Sequence, residues 1–117
     1  MKQRIVFCTL LGIAAAAGTL FLTPVASAAV DAGAAKELAK SNDCFKCHAI
    51  DKTKKGPAYK KIAAKYKGKA DGESKIITNI TTGPKIKLED GTAENHKIID
   101  TKDPKELKNL ADWILSL

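Results

Sequence analysis

Apolar positions recur along much of this chain at three- and four-residue intervals, the period of a helix buried on one face. Between about Asp31 and Ser41, Ala34, Ala35, Leu38 and Ala39 share such a face. Alanine is the strongest helix former, and its small side chain suits close packing between helices. A second run sets Tyr59, Ile62, Ala63 and Tyr66 at helical spacing and stops at Gly68. A third opens at Asp71-Gly72-Glu73, carries Ile76, Ile77 and Ile80, and ends at Gly83-Pro84. The last helix is the best specified. Asp103 is its N-cap, Pro104 its first residue, and Glu106 completes a capping-box spacing. Leu107, Leu110, Ala111, Ile114 and Leu115 make its buried stripe, with Trp113 beside it.

The segments between are loops on this reading. Residues 49–57 are lysine-rich and close on the turn signal Gly56-Pro57. Residues 84–102 are polar, mixed in charge and weakly periodic, and read as one long loop. A loop of that length in a compact domain is usually functional or disordered. No alternating run of useful length appears, and neither does a repeat. The pattern predicts an all-α domain of four to five short helices.

The amino end has a different character. Lys2 and Arg4 precede an apolar stretch from Ile5 to Leu22, and Ala26-Ser27-Ala28 follows the Pro24 break. That order is expected of a secretory signal peptide over residues 1–28, with a domain over 29–117. A single transmembrane anchor is the competing reading, because the apolar run approaches spanning length. Cleavage favours a periplasmic protein with no stable membrane insertion, and it removes Cys8.

Cleavage also takes the formal charge from +7 to +5, by removing Lys2 and Arg4. The remaining cations are all lysines, which argues against bidentate readout of nucleic-acid phosphates or bases. A small domain of this kind often needs a cofactor, metal or disulfide for stability. Two cysteines remain, Cys44 and Cys47, and an oxidising compartment requires that something occupy them.

Cys44-Phe45-Lys46-Cys47-His48 is the C-x-x-C-H pattern of covalent haem attachment. Two thiols one helical turn apart suit the two vinyl groups of one haem, and His48 then offers its imidazole to the iron. A thioether survives an oxidising compartment without a thiolate. Three alternatives are weaker. A redox disulfide wants a βαβ context, zinc wants a second Cys/His pair, and a disulfide between these two cysteines closes too small a loop.

The stretch CFKCHAIDKTKKGPAYKKIAAKYKGK resembles the corresponding part of the small bacterial class I cytochromes c. The resemblance covers the attachment motif, Gly56-Pro57, the helix start at Ala58-Tyr59 and the terminal LADWILSL. It implies a helical bundle wrapped round one haem c, with the first and last helices crossing. It also implies that the Pro57 carbonyl accepts a hydrogen bond from Nδ1–H of His48, fixing the ring and raising its basicity.

One part of the family pattern is missing. The sixth iron ligand is normally a methionine before the last helix, and the one methionine here is Met1, lost with the leader. His96 is the other histidine of the chain and falls near the family's ligand position, so it is the candidate distal ligand. A solvated loop histidine is the competing reading. Asn95, a lysine freed of its proton, or an open site are the remaining options. Two nitrogen donors would give a lower reduction potential than His/Met.

The function expected is electron transfer through one haem, not catalysis, since no acid/base pair or nucleophile triad appears. A haem protein whose weak sixth ligand yields to small gases is the alternative, and an electron-transfer subunit of a larger oxidoreductase is a third reading. Nine lysines between Lys46 and Lys69 surround the motif. They are either a solvated face or a docking surface for an acidic redox-partner protein.

Overall fold

The computed structural model describes residues 28–117, and the leader expected over 1–28 lies almost wholly outside them. Five helices account for half of the described residues: α1 (Ala32–Ser41), α2 (Cys44–Cys47), α3 (Tyr59–Tyr66), α4 (Gly72–Thr82) and α5 (Pro104–Leu115). Among the described residues no helix is long and apolar enough to cross a membrane.

α1 packs on α5. Ala35, Ala39 and Ala111 are all at most 1 % exposed, and such small contact residues permit a close approach of the two axes. Ala34 lies outside this contact. It is exposed, because the buried face of α1 is narrower than the run of alanines suggests. The Asp31 side chain caps α1 by accepting from Ala34 N–H at 2.9 Å. The same residue is tied to α5: its N–H donates to Asn109 Oδ1 at 2.8 Å, and Asn109 Nδ2 donates to its carbonyl at 2.9 Å.

α3 has no side-chain cap at Ala58. Its orphan N–H groups are satisfied by the preceding loop, Tyr59 N–H donating to Ala49 and Lys60 N–H to Ile50, at 2.8 and 2.9 Å. α5 starts as expected at Asp103, whose carboxylate accepts from Lys105 N–H at 2.8 Å. The capping box does not close. Glu106 accepts from the Thr101 hydroxyl instead, and that hydroxyl accepts from Asp103 N–H at 3.1 Å. Thr101 therefore takes the role expected of Glu106.

The expected loop over 84–102 is replaced in part by an antiparallel hairpin of β1 (Lys85–Lys87) and β2 (Ala93–Asn95). Ile86 and Glu94 pair across it, half-buried, while their neighbours on both strands are exposed. Asp90-Gly91 makes the turn. Gly91 has φ +87°, and Asp90 accepts from Thr92 N–H at 2.9 Å and from its hydroxyl. The hairpin hangs from the end of α4, since His96 N–H donates to Pro84 and Ile99 N–H to Ile80, at 2.9 and 2.8 Å.

Leu110, Ala111, Trp113 and Ile114 of α5 meet Ile76 and Ile80 of α4 and Tyr59 of α3 in the core. One buried polar residue stitches its rim. Asn42 is 4 % exposed; Nδ2 donates to Leu38 O at 3.0 Å and Oδ1 accepts from Asp100 N–H at 2.9 Å. Asn42→Ala is expected to leave Asp100 N–H unpaired, Leu38 O keeping its bond from the backbone N–H of residue 42, and to lower stability by about 1–3 kcal/mol. Denaturant unfolding followed by circular dichroism checks this, and an unchanged midpoint would contradict it.

Candidate functional site

α2 is one turn long, closed by the hydrogen bond from His48 N–H to Cys44 O at 2.9 Å. It follows a tight bend at Asp43, whose φ of +59° is left-handed. Aspartate is among the few non-glycine residues that adopt this region readily. Cys44 and Cys47 stand three residues apart on the turn, which puts them on one side of it, and no disulfide joins them. Burial pushes the Cys44 thiol up, partly opposed by the Tyr59 hydroxyl and the Lys97 charge. A dithiol redox centre needs the opposite, an exposed thiol of lowered pKa.

The His48 imidazole is fixed from three directions. Its Nδ1 lies 2.7 Å from the Pro57 carbonyl oxygen. A carbonyl only accepts, so Nδ1 carries the proton and the Nε2 lone pair is free. Tyr59 stacks on the ring, with centroids 5.1 Å apart and planes 17° from parallel. Gly56 lies against its edge, where a Cβ would come within 3.0 Å of Cε1 and 3.3 Å of Nδ1. Read in the sequence as a turn signal and as part of the family resemblance, Gly56 also makes room for the imidazole. Burial lowers the pKa of His48, outweighing the Pro57 bond that raises it, so the ring is neutral. Tyr59 is itself held between Trp113, at 5.5 Å, and Phe45, at 5.9 Å, both edge-on. Burial raises the pKa of its phenol far above the usual range.

His96 stands across from His48. Their ring centroids are 6.1 Å apart and their planes 37° from parallel. Nδ1 of His96 donates to the Lys97 carbonyl at 2.8 Å, which again leaves Nε2 free. Its backbone is seated on the end of α4 at Gly83. That residue has φ +60°, and a Cβ there would come within 2.8 Å of the His96 carbonyl oxygen. His96 is half-buried, whereas Asn95 is exposed on β2.

A cavity of about 730 Å³ contains both imidazoles and both cysteines. Tyr59, Ile76, Ile80, Leu88, Ile99 and Leu110 supply much of its apolar wall, and lysines stand round it. This donor set fits a haem. Imidazole nitrogens bind first-row metals at about 2 Å and a ring centre lies roughly 1.1 Å behind its donor atom, so two imidazoles on opposite sides of one ion sit about 6 Å apart. Two thiols on one helical turn border the same apolar space.

This is the arrangement of a helical electron carrier built round a covalent haem. A family model described as Cytochrome c matches residues 32–117, and the chain belongs to the cytochrome c family. It is similar to cytochrome c-551 of Pseudomonas denitrificans, 37% identical over 82 residues that cover 70% of this chain and 95% of the relative. Cytochrome c-552 of Nitrosomonas europaea is 36% identical over 109 residues, 81% of this chain and 92% of the relative. Among solved structures, the class 1 cytochrome MtoD from Sideroxydans lithotrophicus ES-1 is 58% identical with a TM-score of 0.72, over 75% of this chain and 97% of that one. The fold is that of cytochrome c, the cofactor is one covalent haem c, and the chain is an electron carrier and not an enzyme.

Gly56→Ala is expected to shift the His48 ring by a few tenths of an ångström and cost about 1–3 kcal/mol, the usual range for overpacking. Thermal unfolding and the electron paramagnetic resonance spectrum of the ferric protein read both effects. Superimposable spectra and melting curves would show that Gly56 is only a turn residue.

Proposed function

We propose that this protein is a periplasmic single-haem electron carrier whose iron is held by His48 on one side and His96 on the other. The single observation that supports this most is the 6.1 Å separation of the two imidazoles within one cavity. Cys44 and Cys47 would carry the haem as thioethers. The Pro57 carbonyl would orient His48, and the Lys97 carbonyl would do the same for His96.

Haem supplies a one-electron iron couple, and its potential depends on axial ligands, burial and hydrogen bonds. Two imidazoles favour the ferric state more than imidazole and methionine do, so the potential lies below that of a His/Met cytochrome. The Nδ1 bonds strengthen the effect by raising ligand basicity. His96 is favoured over Asn95 by its partial burial and free Nε2, and over lysine because an imidazole needs no costly deprotonation.

Partners are read from the mouth of the cavity. Lys46 and Lys97 pair with Asp43, and Lys55 pairs with Glu94. Among the described residues no ion pair engages Lys61, Lys65 or Lys87, which line the same cavity. Such free charge suits an acidic redox partner, with association that weakens as salt rises. The periplasmic assignment is supported by the leader pattern in residues 1–28.

The decisive experiment compares electron paramagnetic resonance and optical spectra of the haem-loaded protein with those of His96→Ala. The expected wild-type spectrum is six-coordinate and low-spin in both oxidation states, with a high-spin component appearing in the variant. Unchanged spectra would remove His96 from the iron. A prompt carbon monoxide complex at the reduced wild-type iron would replace electron carriage with gas binding as the better reading.

A further inference from the structure

His96 lies in the short segment Glu94-Asn95-His96-Lys97, and both ends of that segment are held by charge. Glu94 meets Lys55 through both carboxylate oxygens, each 2.9 Å from Nζ. Lys97 meets Asp43 at 3.6 Å. The anchors are not arbitrary. Lys55 immediately precedes Gly56-Pro57, which seats and orients His48, and Asp43 immediately precedes Cys44. The two pairs therefore run from the flanks of the distal histidine to the flanks of the attachment motif. All four side chains also line the cavity.

We propose that Lys55–Glu94 and Asp43–Lys97 form a clasp that holds His96 in place, so that opening of the distal side is gated by ionic strength. The inference rests on the reading of His96 as an iron ligand. The four residues are positioning residues: they act through His96.

The backbone gives the segment a second attachment, at Pro84 and Ile80, so it does not leave as a whole. Glu94 and Asn95 are paired with β1, so what the charge pairs restrain is local movement of the His96 side chain and of Lys97-Ile98, the stretch between the two bonds. Side-chain exposures of 42–53% put both pairs in reach of solvent ions. Exposed pairs are individually weak, and salt screens them. That combination suits a gate of modest strength, closed at low salt and loosened at high salt or when an acidic surface competes for Lys55 or Lys97.

The test uses the haem-loaded, reduced protein and carbon monoxide. With His96 on the iron, the complex forms slowly, at a rate set by departure of the imidazole. Carbon monoxide is neutral, so salt acts on the clasp and not on the encounter. The rate is expected to rise roughly two- to five-fold between low salt and 1 M sodium chloride, and by a similar factor in Lys55→Glu, Glu94→Lys and Asp43→Asn. The double swap Lys55→Glu with Glu94→Lys is expected to return the low-salt rate to near wild type. The salt titration needs no variant, so folding defects do not obscure it. Rates indifferent to salt and to all three substitutions would overturn the clasp and leave His96 ligation standing. Single-variant effects that the swap fails to reverse would also overturn it, because they would reflect disturbed packing. Failure of the ligand reading has its own signature, unchanged spectra in His96→Ala.

Discussion

The hydrogen bond from Nδ1 of His48 to the Pro57 carbonyl closes the loop that follows the attachment motif. It decides which ring nitrogen is free, and so which way the imidazole can bind a metal. It also holds the loop where the Ala49 and Ile50 carbonyls reach the first N–H groups of α3. α3 in turn presents Tyr59, which stacks on the same imidazole and leans on Trp113 of α5. A single ring orientation is thus shared by the motif, the loop, α3 and the terminal helix. A Cβ at Gly56 would crowd this ring.

The opposite side of the cavity is built on another plan. α1, α3 and α5 pack by apolar contact, but His96 is carried on a hairpin tied to α4 by backbone hydrogen bonds and to the motif by exposed charges. His48 is therefore tied into the helical frame, whereas His96 is held through the hairpin. The ligation proposed above would need both imidazoles in place, and the exposed charges beside His96 are where ionic conditions act.

The helices were legible because their signals are local. Asp103, Pro104 and the stripe from Leu107 to Ile114 specify α5 within one dozen residues. The attachment motif and its histidine were legible for the same reason. The hairpin was harder to see, since strands of three residues are too short to show an alternating pattern. Asp90-Gly91 was the available signal, a recognised hairpin turn pair flanked by short runs that can extend. Asn42 gave no local signal, because its partner Asp100 lies 58 residues on. Glu106 matched the spacing of a capping box, yet Thr101 lies closer to the donor the box would satisfy. The facing of His48 and His96 depends on Gly83 and on the return of the hairpin, and both are matters of tertiary contact.

Gly83 ends α4 in a left-handed turn and lets the carbonyl of His96 lie against it. The joint lies between α4 and the hairpin, outside the helices themselves and away from the turn that carries Cys44 and Cys47. On the ligation proposed above, a donor mounted beyond such a joint is a replaceable part: rewriting the hairpin would exchange one sixth ligand for another, and shift the working voltage of the carrier, without repacking the helices that hold the haem.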